Sequence, residues 1–180
     1  MPEAPAPPLV PAAPALKTYT FPDGHVSFTH PASWTVRTKV AGSVPGVEAF
    51  VSDGTGNELV RLAYGFITGC ASGPTSRVLF DSAPVPGIPA TGGSTPTFGF
   101  AVDTHFGKEQ YNMGLTDPRY LEQGEGVTST CQLVPTGQGG LQTSVLFNDP
   151  GFPDAAAAKA WMATQQYAQL KALVTSLTYS

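Results

Sequence analysis

Three histidines, His25, His30 and His105, are the side chains in this sequence that can change charge near neutral pH and act as metal ligands or general bases. His25 and His30 lie five residues apart with Asp23 close by, so two or three ligands could meet across a tight turn. A zinc site needs three or four ligands with local pairs, and no HExxH string accompanies them. Solvated turn histidines are the simpler reading, and no metal or cofactor is expected. A serine nucleophile needs a sharp turn and an adjacent base. G-x-S-x-G is absent; the nearest string is Gly92-Gly93-Ser94-Thr95-Pro96, which lacks the closing glycine. A small hydrolase using Ser with His105 or His25 is therefore an alternative without a motif behind it. Asp53-Gly54-Thr55-Gly56-Asn57-Glu58 places oxygen side chains at alternate positions, as in part of a calcium loop. It lacks the later ligands of an EF-hand and reads as a hairpin turn. Asp117, Glu122 and Glu125 could pair as glycosidase carboxylates, but so close together in a polar loop they read as solvated. No phosphate-binding glycine loop is present.

Recognition without catalysis needs other residue types. Tyr, Trp and Arg dominate binding hot spots, and Tyr111, Arg119, Tyr120 and Trp161 are the candidate contact residues. Arg119 and Tyr120 belong to the loop DPRYLEQGEG, a more natural contact surface than a catalytic one. The loop at residues 84–96, PVPGIPATGGSTP, is long and polar, and either borders a groove or covers a sheet edge.

Charge narrows the partners. Nine Lys and Arg against 13 Asp and Glu give a net charge of -4, and no two cations are adjacent. Nucleic-acid binding needs clustered cations that displace condensed counterions, so it is not expected. No apolar stretch approaches the roughly 18 residues of a membrane span. The start MPEAPAPPLV has neither the basic nor the apolar region of a signal peptide. That leaves a cytosolic protein or one whose leader has been replaced by Met1. Low charge and an even pair of cysteines favour an exported chain. Cys70 and Cys131, 61 residues apart, fit no CxxC spacing and are expected to form a disulfide; such a bridge stabilises by roughly 4 kcal/mol.

The elements that must hold these residues follow from periodicity. The chain has 18 Pro and 20 Gly, about a fifth of its length, against a usual share near 12%. Six of the prolines fall in residues 1–16, which read as an extended tether holding residues 17–180, a single domain, away from a surface. The expected surface is a membrane, reached only through a lipid-bearing cysteine upstream of Met1. From Lys17 onward apolar and polar residues alternate in short runs between turn signals. A first hairpin turns at Pro22-Asp23-Gly24, and Trp34-x-Val36 opens a third strand. Further strands are expected at Val47–Ser52, Leu59–Thr68, Arg77–Ser82, Thr97–His105, Gln110–Leu115, Thr128–Val134 and Leu141–Phe147. Asp154–Leu177 reads as one helix, capped by Asp154, with Ala163, Gln166, Tyr167, Leu170, Leu173, Val174 and Leu177 as its apolar stripe. Trp161 falls nearly opposite that stripe.

Residues 19–36, YTFPDGHVSFTHPASWTV, and the closing LVTSLTY resemble PsbP-like domains. That fold is shared by the photosystem II extrinsic protein, a nuclear import factor and actinobacterial secreted lipoproteins of the LpqN type. The Pro-rich start, residues 83–87 and 114–117 and the two cysteines are similar to lipoproteins of Arthrobacter-like bacteria. The resemblance implies an α+β fold: a twisted, mainly antiparallel sheet of about 7–9 strands packed by the C-terminal helix, as an α/β/α sandwich. A family helix would fall near residues 39–46, where AGSVPG is a poor helix former. The family carries no common catalytic set. The expected function is therefore a non-enzymatic, envelope-tethered binding or accessory domain, for an envelope protein or a small ligand. The alternatives are the small hydrolase above and a purely structural envelope spacer.

Overall fold

A computed structural model describes residues 13–40, 46–66, 69–70, 73–90, 92–149 and 151–180. The alternating segments become strands β1 (Leu16–Thr20), β2 (Val26–Pro31), β3 (Thr35–Val40), β4 (Val47–Ser52), β5 (Glu58–Phe66), β6 (Pro74–Pro84) and β7 (Thr97–His105). They continue as β8 (Lys108–Thr116), β9 (Gly124–Thr128), β10 (Leu133–Thr136), β11 (Gly139–Val145) and β12 (Thr178–Tyr179). Two helices, α1 (Ala155–Trp161) and α2 (Gln165–Thr175), precede β12. Most of the proposed tether lies outside the described residues; Leu16 already belongs to β1.

All pairings are antiparallel. β1, β2 and β12 make a small sheet in the order β1-β2-β12. The other nine strands make a large sheet in the order β3-β4-β5-β11-β8-β7-β6-β9, with β10 alongside β11. A Cβ at Gly114 would overlap the Thr143 carbonyl oxygen, so the close approach of β8 to β11 requires a glycine.

One face of the large sheet carries Leu62, Phe98, Phe100, Met113, Leu115 and Leu141, all fully buried. Phe21 and Phe28 of the small sheet and Leu170, Leu173 and Val174 of α2 close over it in one cluster. Phe21 meets Tyr64 edge-on at 5.8 Å, and α2 packs against β2 and β7. The opposite face presents Gly99, Ala101 and Asp103 to Leu121 and to the segment after β9.

The α+β expectation, and with it the α/β/α sandwich, is corrected. The described chain is 51% strand and 14% helix, a sheet-dominated fold in which a second, small sheet shares the covering of the core face. Helix-forming composition is confined to the C-terminal stretch, and even that is not one helix. Thr164 sits in extended backbone (φ −84°, ψ 156°); its hydroxyl donates to Trp161 O at 2.7 Å and accepts from Tyr167 N–H at 3.3 Å. A threonine that bonds its own backbone this way caps a new helix rather than continuing the old one. The break resets the helical phase. Tyr167, Leu170, Leu173, Val174 and Leu177 of the expected stripe are buried, while Ala163 and Gln166 are exposed. Asp154 does cap α1, accepting from Ala157 N–H at 2.8 Å. One strand expectation also changes: Thr128–Val134 divides between the ends of β9 and β10.

Candidate functional site

The 3₁₀ turn Pro118–Leu121 determines where the loop candidates go. Asp117 caps it, accepting from Arg119 N–H at 3.0 Å, with proline at the first position where a missing N–H does no harm. Leu121 packs onto Gly99, which has no side chain to obstruct it. With Leu121 inward, Arg119 and Tyr120 point outward. The Arg119 guanidinium lies over the Tyr120 ring at 5.0 Å, and its Nε stands 3.6 Å from Asp117 Oδ1. Its side chain remains 70% exposed, so the cation is free to take a further partner.

The disulfide builds the opposite wall. Cys70 and Cys131 are bonded, and Thr116 Oγ1 donates to the Cys131 carbonyl, fastening the segment after β9 to the end of β8. Between this bridge, Leu133, Pro135 and the Tyr120 ring lies a pocket of about 390 Å³. Arg119 is the one charged side chain lining it among the described residues. A pocket of that size with apolar walls and a single guanidinium is suited to a small ligand with an apolar body and an anionic group.

The other two candidates lie elsewhere. Tyr111 is buried in β8, about 17 Å from Thr116 along a strand rising about 3.3 Å per residue. Its hydroxyl donates to Glu109 Oε2 at 2.9 Å; burial, with the Glu109 carboxylate adding to it, pushes the phenol up to about 12. Trp161 ends α1, donates from Nε1 to Gln166 Oε1 at 3.1 Å and meets the Phe100 ring edge-on. Phe152 joins the two, 5.0 Å from Tyr111 and 5.4 Å from Trp161 between ring centres. Tyr111 and Trp161 thus share an aromatic cluster, and Arg119 and Tyr120 share the disulfide pocket.

The histidines do not converge. His25 Nδ1 is 2.5 Å from Ser180 O and Nε2 is 3.1 Å from Gln138 Nε2, while the ring stacks on Tyr179. His30 is buried in β2 with Nδ1 2.9 Å from Pro31 O. Among the described residues no three His, Cys, Asp or Glu side chains group as a metal site. His105 ends β7 two residues from Asp103, the spacing at which a carboxylate could orient an imidazole. Asp103 is already occupied. It accepts from Arg77 Nε (2.7 Å) and Nη2 (2.9 Å) and from Thr130 N (2.8 Å) and Oγ1 (2.9 Å).

The remaining carboxylates have separate tasks. Asp53 caps the β4–β5 turn, and bonds from the Thr55 hydroxyl and then from main-chain N–H groups hold its carboxyl below the usual range. Glu125 accepts from Ser76 Oγ, and Glu122 offers its backbone oxygen to Arg77. In the loop 84–96, Val85 and Ile88 are buried and Gly87 O accepts from Tyr179 N–H, so the described part of this loop covers β12. The Arg77–Asp103 pair is what sequence reading missed. An aspartate inside the apolar run TFGFAVDTH was its one visible sign.

Comparison with protein-family models, with curated proteins and with solved structures returned no match.

Proposed function

We propose that this chain is a non-enzymatic, extracytoplasmic binding domain tethered to the cell envelope, with the disulfide pocket as its small-ligand site. The observation that carries the reading is the Arg119–Tyr120 pair set against the apolar wall of Cys70–Cys131, Leu133 and Pro135. An exposed guanidinium beside an aromatic ring and a dry wall recognises an anion with an apolar body; it moves no protons. The disulfide supports an oxidising compartment, and no helix among the described residues is long and apolar enough to cross a membrane. The proline-rich start and the PsbP-like motif at residues 19–36 support kinship with tethered lipoproteins. The hydrolase alternative gains no support from the geometry. Both ring nitrogens of His25 are engaged, and Asp103 is committed to Arg77 and Thr130.

Thermal shift with 2-naphthoate, against 2-naphthol as the neutral control, tests the site. A saturable rise in Tm with the carboxylate that disappears in Arg119→Gln supports it. Turnover of an ester, glycoside or peptide substrate that is lost in His105→Ala or His25→Ala overturns the non-enzymatic reading.

A further inference from the structure

We propose that the notch between β8 and β11 receives an extended peptide segment of a partner protein, which adds to β8 as a strand. The register carries this. His105 pairs with Lys108 across the two-residue turn Phe106-Gly107. In such a hairpin the pair flanking the turn is the doubly hydrogen-bonded one, so Lys108, Gln110 and Asn112 direct their main-chain groups to β7. Glu109 and Tyr111 direct theirs to the other side. There β11 meets β8 at one position, Ser144 opposite Gly114. Beyond it β11 stays with β5: Val145 pairs with Val60, and Leu146 N–H donates to Leu59 O at 2.8 Å. The stretch Lys108–Asn112 is therefore left without a strand neighbour on that side among the described residues.

The space so opened is a cleft of about 780 Å³ between β8 and residues 145–149. Gln110 and Asn112 line it from one face of the sheet and Tyr111 from the other, so it opens along the strand edge rather than on a face. An extended peptide supplies the N–H and C=O groups that Glu109 and Tyr111 lack. Alternate side chains would meet Tyr111 and Phe147 on one side and Gln110, Asn112 and Gln132 on the other. The fitting segment alternates apolar and uncharged polar residues.

A second observation marks the mouth of the notch. Phe106 is fully exposed and adopts φ +48°, at a turn position that favours Asn or Gly. Leu146, on the opposite wall, is 40% exposed. Two apolar side chains held in water, one of them in a backbone region that disfavours it, face the open end as anchors.

The probe is a pool of acetylated, amidated pentapeptides with Val, Leu or Phe at odd positions and Thr or Ser at even ones, added at millimolar concentration to the full chain. Amide exchange at residues 109 and 111 should slow at least tenfold, and an N-methylated pool should have no effect. Glu109→Pro removes an outward N–H and leaves the β7 ladder intact, so it should abolish the protection. Phe106→Asn, which suits the turn and should fold at least as well, should weaken binding at least fivefold. Absence of protection, equal protection by the N-methylated pool, or protection that follows concentration-dependent dimerisation without peptide would each overturn the proposal. None of these outcomes bears on naphthoate binding at the disulfide pocket.

Discussion

On one face of the large sheet, Phe98, Phe100, Met113 and Leu115 lie under α2 and the small sheet. On the other, Asp103 lies under a segment held by one disulfide, one guanidinium and the Thr130 bonds. The first face is cohesive because apolar area is removed from water and five aromatic rings, Phe80, Tyr111, Phe147, Trp161 and Tyr167, interlock around Phe100 and Phe152. It contains little that could recognise a solute. The second face buries few large apolar side chains and is organised by directional bonds and a covalent tie. The pocket with the exposed Arg119 guanidinium borders that face, where cover is thin enough to leave a cavity.

The two largest expected effects test that contrast, one from each face. Phe100→Ala should remove about 4 kcal/mol of unfolding free energy in urea, through lost transfer energy and an unfilled cavity. Cys70→Ser with Cys131→Ser should remove about 4 kcal/mol by freeing a 61-residue loop in the unfolded chain. The second change should also abolish naphthoate binding, whereas Phe100→Ala, at permissive temperature, should leave it intact. Equal loss of binding in both would break the comparison. A smaller effect of opposite sign is expected within the cohesive face. Thr143 is fully buried and its hydroxyl has no hydrogen-bond partner among the described residues. Thr143→Val should therefore raise stability by about 1 kcal/mol, read as a higher urea midpoint with unchanged slope.

The smallest effect lies at the rim of α2. Burial works against the Asp81 carboxylate, but bonds from Lys171 Nζ at 2.6 Å and from the Tyr167 hydroxyl outweigh it and hold its carboxyl below the usual range. A carboxyl whose folded pKa is depressed stabilises above its unfolded value, near 3.9, and loses that contribution as pH falls through the folded value. The Tm difference between wild type and Asp81→Asn should thus be constant above about pH 5 and shrink as pH falls below the unfolded value. It should correspond to about 1 kcal/mol at most.

Local physics was legible in the sequence. With only two cysteines the pairing had one solution, the Asp53 turn and the Asp154 cap are short-range side-chain bonds, and β4 and β7 have the bounds that alternation gave them. What was illegible depends on competition or distance. The α1–α2 break turns on one threonine hydroxyl choosing its own backbone. The pairing of β12 with β2, which completes the small sheet over the core face, joins residues 151 or more positions apart, such as Ser27 and Thr178, and no window of sequence contains both. The candidate residues divided between two places for the same reason, because adjacency along β8 and the loop after it says nothing of which end of the sheet each occupies.

Arg77 and Asp103 stand directly opposite each other on β6 and β7, both side chains essentially without solvent exposure. Strands slip by whole residues, and a shift of one would turn every side chain to the wrong face. A shift of two keeps the faces correct, and apolar packing alone resists it weakly. Here it would leave a guanidinium and a carboxylate buried without each other. The pair thus acts as a registration mark for a strand that is itself irregular between Leu79 and Asp81. Replacing both partners with apolar residues of like size could preserve or even raise stability while admitting a second alignment of β6. The sign of its loss would be two sets of amide resonances for one sequence.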